Sequence, residues 1–109
     1  TRRTEGPVLV AKPCEARVDA RVATEFKQQL LAAMDDGYPL IALDLSAVEF
    51  IDSSGLGAIV AALKHLGERG DLVIVGARPA VQNLFRLTRM DKVFRMYGGA
   101  ADAIAALRH

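Results

Sequence analysis

Tryptophan is absent from this chain, cysteine occurs once, and aromatic residues make up only 6% of its 109 positions. The core must therefore be aliphatic, built from Val, Leu, Ile and Ala, which suits helices packed on a buried sheet. A single cysteine, Cys14, cannot form an internal disulfide and gives no reason to infer an oxidising compartment. Cys14 is expected as a plain packing or edge residue. No apolar run approaches the ~20 residues of a membrane-spanning helix, and no signal-peptide pattern opens the chain, so membrane insertion is not expected and cytoplasm is the default. Excess charge of one sign is also lacking: 14 basic and 13 acidic residues leave a formal net charge of +1. No basic stripe interleaves with aromatics, which makes nucleic acid a poor partner, because affinity for it rests on concentrated Lys and Arg. Arg2-Arg3 reads as part of a solvated, frayed end.

Enzyme constellations are missing as well. There is no phosphate-binding loop with its Lys, and Gly55-Leu56-Gly57 alone is too short to count as a dinucleotide fingerprint. His65 and His109 have no Cys or His partners at metal spacing, so no metal site is expected. A serine hydrolase would need Gly-x-Ser-x-Gly around Ser53, but Ile51 occupies the first Gly position and no well-placed His follows. The chain is read as a non-enzyme.

What is present is a globular composition, 51% hydrophobic and 25% charged. The length suits a single domain over residues 1–109, with residues 1–6 as a flexible N-terminal arm. Val8 to Ala11 reads as a strand closed by Pro13, with an extended piece from about Glu15 to Val18 beside it. Asp19 is expected to cap a helix that buries Val22, Phe26, Leu30, Ala33 and Met34. Leu40 to Leu45 and Leu72 to Val75 are short apolar runs of the kind covered on both faces in a parallel sheet. Between them a second helix carries Leu56, Ile59, Val60, Leu63 and Leu66 inward. Pro79 opens a third helix that buries Val81, Leu84, Phe85 and Leu87. Val93 to Tyr97 is expected as a final strand, and Ala101 to Leu107 as a last helix with Ile104 and Leu107 inward. Strands alternating with helices predict an α/β fold: a largely parallel sheet of 4–5 strands, about four helices, and room for an antiparallel N-terminal strand at an edge.

The segment Phe50-Ile51-Asp52-Ser53-Ser54-Gly55-Leu56-Gly57 falls where extended chain gives way to the second helix. One serine there could serve as an N-cap, with Gly55 easing the turn. A sharper reading starts from charge. A phosphate on Ser53 carries about −1.5 to −2 charges at neutral pH and would meet free N–H groups at the helix start. Asp52 would repel it, so modification changes the surface and leaves the core alone, as a binding switch requires. Ser54, Ala58, Ala61, Ala62 and His65 are expected on one outward flank. Small side chains there either form a smooth patch for a partner or simply favour helix.

These residues, preceded by Ile41-Ala42-Leu43-Asp44-Leu45, resemble the signature of the STAS domain (sulphate transporter and anti-sigma factor antagonist). Arg17-Val18-Asp19-Ala20, Gly70 to Val75, Val81 to Phe85 and Leu87 to Phe94 fit the same family, so the resemblance covers nearly the whole chain. It implies a single STAS-like domain acting as an anti-sigma factor antagonist in a partner-switching pathway. Ser53 would be phosphorylated by a Ser/Thr kinase that is also the anti-sigma factor, and a Ser/Thr phosphatase would reset it. The unphosphorylated form would bind the kinase and release its client. ATP and metal would belong to the partners, so the chain would need no cofactor of its own, and it would be a monomer or weak dimer. The implied partner-binding residues are Asp19, Asp52, Ser53, Ser54, Gly55, Leu56 and Ala58. The resemblance leaves one alternative, a non-phosphorylated STAS subunit that regulates an ABC-type phospholipid transporter. Ala16-Arg17 departs from the Gly that many members carry before the first-helix loop.

Overall fold

The computed structural model describes residues 2–38, 40–67 and 70–107. In chain order its elements are β1 (Arg2–Glu5), β2 (Val8–Ala11), β3 (Arg17–Val18), α1 (Ala23–Asp35), β4 (Leu40–Asp44), β5 (Phe50–Ile51), α2 (Ser53–Leu66), β6 (Asp71–Val75), α3 (Pro79–Leu87), β7 (Met96–Tyr97) and α4 (Ala100–Leu107). One turn of 3-10 helix, Met90–Lys92, lies between α3 and β7. Thr1, His109 and the side chain of Leu107, expected inward on the last helix, lie outside the described residues.

The main sheet has the order β1-β2-β4-β6-β7, and only the β1–β2 pair is antiparallel. Parallel neighbours cannot be joined by a tight turn, and here α1, α2 and α3 supply the crossovers from β2 to β4, β4 to β6 and β6 to β7. The apolar runs owe their continuity to cover on both faces. Leu9, Ile41, Leu43, Leu72 and Ile74 point into a core shared with α1, α2 and α3, while Val8, Val10, Ala42, Val73 and Val75 point to α4. In the larger core Phe85 and Phe94 meet edge to face, with ring centroids 5.9 Å apart.

The structure departs from the sequence reading at several points. Arg2–Glu5, expected within a flexible arm, forms the antiparallel edge strand β1. Gly6, at φ 60°, supplies the tight hairpin into β2. Arg17–Val18 pairs with β5 and not with β2, making a separate parallel ribbon. Helix α1 begins at Ala23, so Asp19 is not its cap. The Asp19 carbonyl accepts the Val22 and Ala23 N–H groups at 3.1 and 2.9 Å in a turn that precedes the helix. The strand expected over Val93 to Tyr97 shrinks to Met96–Tyr97, because Val93 and Phe94 donate back to the Met90 carbonyl. Leu87, at the end of α3, is 74% exposed and not buried.

Candidate functional site

The site is built where the β3–β5 ribbon feeds helix α2. Strand alternation turns Val18 and Ile51 into the core and leaves Arg17, Phe50, Asp19 and Asp52 on the outer face. The Asp52 N–H donates to the Val18 carbonyl at 3.3 Å, which closes the Val18–Ile51 pair and ties the start of α2 to the end of β3. Asp52, in extended conformation, is the N-cap of α2: its Oδ1 accepts the Gly55 N–H at 3.0 Å.

That cap changes the meaning of the serine pair. Neither Ser53 nor Ser54 is the N-cap expected from the sequence. Both are exposed in the first turn of α2, and neither hydroxyl has a hydrogen-bond partner among the described residues. Gly55 does more than ease the turn. A Cβ at that position would stand 2.4 Å from the Val18 carbonyl oxygen and 2.7 Å from Ile51 Cγ1, so α2 can lie against the ribbon only with glycine there. Gly57 has nothing within 4 Å of such a Cβ and leaves the outer surface of the helix low.

Of the seven residues that the resemblance points to, Ser53 and Ser54 are exposed, and Asp19 and Asp52 are half-buried. Gly55, Leu56 and Ala58 are buried. Ala58 and Ala62 are thus corrected from an outward patch to the interior, where their small side chains allow α1 and α2 to pack closely. The outward face of α2 runs instead through Ser53, Gly57, Val60, Ala61 and Lys64. With Thr88 and Met90 from the turn after α3, these residues line a shallow depression of about 340 Å³. Sequence reasoning had placed Thr88 and Met90 in a matching segment without a role, and spacing along the chain carries no sign of their approach to α2. His65 is exposed, with Nε2 at 3.3 Å from Asp35 Oδ1 of α1.

The charged surroundings were also not foreseen. Asp19 accepts the Arg21 backbone N–H at 3.1 Å, lies 3.5 Å from Arg21 Nη2, and lies 4.0 Å from Arg17 Nε. The Arg17 guanidinium sits 4.2 Å above the ring of Phe50, its partner in the ribbon register. Elsewhere, a cavity of about 420 Å³ lies between α1 and the segment after β2, with exposed Cys14 on its lining. Among the described residues, its lining includes no His. Among the described residues no cluster of His, Cys, Asp or Glu could hold a metal ion, and no helix is long and apolar enough to cross a membrane.

At the start of α2, an exposed serine hydroxyl with no hydrogen-bond partner among the described residues thus stands beside a shallow, largely apolar depression in an α/β domain. The chain belongs to the STAS domain family, whose model matches residues 3–103, in its branch of anti-sigma factor antagonists. It is 30% identical over 80 residues to the anti-sigma-B factor antagonist of Listeria monocytogenes, covering 72% of this chain and 70% of that one. A crystal structure of an anti-sigma factor antagonist from Mycobacterium paratuberculosis superposes with a TM-score of 0.91 at 31% identity, over 100% of this chain and 92% of that one. SpoIIAA in its unphosphorylated form shares the fold, with a TM-score of 0.82 at 18% identity over 99% of this chain and 95% of that one. A structure of Bacillus SpoIIAA in the phosphorylated form also shares it, with a TM-score of 0.72 at 16% identity over 97% and 96%.

Proposed function

We propose that this chain is a cytoplasmic anti-sigma factor antagonist in a partner-switching pathway, and that Ser53 is its switch. In the unphosphorylated form the outer face of α2 and the Asp19 loop bind an anti-sigma factor that is also a Ser/Thr kinase, which then releases its client. The kinase transfers the γ-phosphoryl group of ATP to Ser53: an Oγ–P bond forms, the bond to ADP breaks, and the hydroxyl proton passes to a base on the kinase. A Ser/Thr phosphatase returns the chain to its binding form. The observation that carries this reading is the division of labour at the start of α2. Asp52 caps the helix, which leaves the Ser53 hydroxyl exposed and unengaged.

Physical chemistry supports the consequence. A phosphate at the first turn meets the positive end of the helix dipole, so the fold tolerates it. A docked partner meets up to two additional negative charges on a surface that already carries Asp19 and Asp52. The known phosphorylated and unphosphorylated forms of SpoIIAA show that this fold accommodates both states in that protein.

The test is incubation with ATP and the cognate kinase, followed by intact mass and site mapping. One phosphate on Ser53 is expected, with loss of kinase binding by Ser53→Asp. Absence of phosphate on Ser53, or undiminished kinase binding by that variant, refutes the reading. Stable co-purification with a transporter ATPase, unaffected by Ser53→Ala, would replace it with the transporter-regulating alternative.

A further inference from the structure

Arg17 in β3 and Arg21 in the turn after it flank Asp19, and their present pairing with it is weak. The closest side-chain approach of Arg21 to Asp19 is 3.5 Å and that of Arg17 is 4.0 Å, both longer than a charge-assisted hydrogen bond. Arg17 and Arg21 side chains are 59% and 82% exposed, whereas that of Asp19 is 17% exposed. The Val18 carbonyl accepts the Asp52 N–H at 3.3 Å and would stand 2.4 Å from a Cβ on Gly55, so the first turn of α2 rests against the end of β3. Arg17, next to Val18 in β3, and Arg21, in the turn that follows, therefore flank the stretch of chain on which the first turn of α2 rests.

We propose that Arg17 and Arg21 form an intramolecular receiving site for the phosphomonoester on Ser53, and exchange Asp19 for the phosphate once it is present. The proposal rests on the reading of Ser53 as the modified residue and adds how the modified state is held. A phosphomonoester carries more charge than the Asp19 carboxylate and offers three acceptor oxygens, which match the planar fork of a guanidinium. Stacking on Phe50 keeps Arg17 oriented on the outer face of the ribbon, so little ordering is needed to recruit it. The other charges are common to both proteins compared below, including Arg89, which lies between Thr88 and Met90 on the turn that faces Ser53. Asp52 and Asp19 repel the phosphate, and Lys64 lies eleven residues along α2, about 16 Å away at 1.5 Å per residue. Phosphorylation then alters two features of the partner-facing surface together. It adds negative charge at Ser53, and it draws the Asp19 loop toward α2 while stripping Asp19 of its two guanidinium partners.

The experiment uses the full chain with phosphoserine installed at position 53 during translation, so that no kinase is involved. Phosphorus NMR follows the second ionisation of the phosphate in the parent chain and in the R17Q/R21Q double variant. The midpoint in the parent is expected to lie at least about half a pH unit below that of the variant, because cations favour the dianion, with the gap closing as salt is added. The helix terminus and both aspartates are the same in the two proteins. Equal midpoints overturn the proposal. Should the double variant fail to fold, the side-chain Nε–H resonances of Arg17 and Arg21 in the parent decide instead. Movement of both on phosphorylation supports the receiving site, and unmoved resonances overturn it. Failure of every kinase to modify Ser53 would remove the proposed function and leave this result intact. Equal midpoints would remove the receiving site alone.

Discussion

Two glycines on the same helix should respond in opposite directions to the same substitution. Replacing Gly55 with Ala places a Cβ 2.4 Å from the Val18 carbonyl oxygen, 2.7 Å from Ile51 Cγ1 and 2.9 Å from Val18 Cγ1. The nearest of these atoms is backbone, so relief requires α2 or β3 to move. Such movement strains the bonds that hold the ribbon, from Glu49 and Phe50 N–H to the Ala16 carbonyl and from Asp52 N–H to the Val18 carbonyl, at 2.7, 3.1 and 3.3 Å. Overpacking of this kind costs about 1–3 kcal/mol, and each weakened buried hydrogen bond adds about 1 kcal/mol. The gain in helix propensity from Gly to Ala returns about 1 kcal/mol. The net expectation for Gly55→Ala is a loss of roughly 2–4 kcal/mol. At 4–8 °C per kcal/mol for a domain of this size, the melting temperature should fall by roughly 10–25 °C. Gly57→Ala meets nothing within 4 Å and keeps only the propensity gain, so it should be neutral or stabilise by up to about 1 kcal/mol. Urea and thermal melts of the two variants beside the parent provide the assay. A Gly55→Ala variant as stable as Gly57→Ala would refute the claim that α2 sits on the ribbon backbone.

Removing the α2 cap with Asp52→Ala should cost about 1 kcal/mol in urea unfolding, and Asp52→Asn should keep most of it because an amide oxygen also accepts the Gly55 N–H. Ala62→Leu, at a fully buried position on the α1-facing side of α2, should destabilise by about 1–3 kcal/mol; an unchanged midpoint would return this flank to the surface. Phe85→Ala should lose about 3–5 kcal/mol, since the ring is fully buried against Phe94. Ser53→Ala should move stability by no more than about 0.5 kcal/mol while abolishing phosphate uptake in the kinase assay, because the exposed hydroxyl contributes no bond among the described residues.

Readings from the sequence held where the signal was local and strong. Leu40–Asp44 and Asp71–Val75 could be assigned as inner strands because both of their faces are apolar, and Pro79 marked the start of α3 because a missing N–H costs nothing there. They failed where the pattern was weak. Arg2–Glu5 is an edge strand of polar residues, so it shows no alternation, and its only cue is the Gly6-Pro7 hairpin. The two-residue strands β3 and β5 are too short to display a period at all. Ala58 and Ala62 were assigned to the wrong side of α2 because alanine suits either environment, and only the position of α1 decides between them.

For the switch residue the division is similar. The sequence alone determined that Asp52, Ser53, Ser54 and Gly55 stand together at a helix start in an α/β chain, since turn chemistry and apolar periodicity are properties of neighbouring residues. Tertiary structure decided what each of the four does. Asp52 rather than a serine caps the helix, Gly55 is demanded by the Val18 backbone from another part of the chain, and the Ser53 hydroxyl is left exposed as a result. Contacts between segments distant in the chain set those roles, and no local pattern encodes which segments will meet.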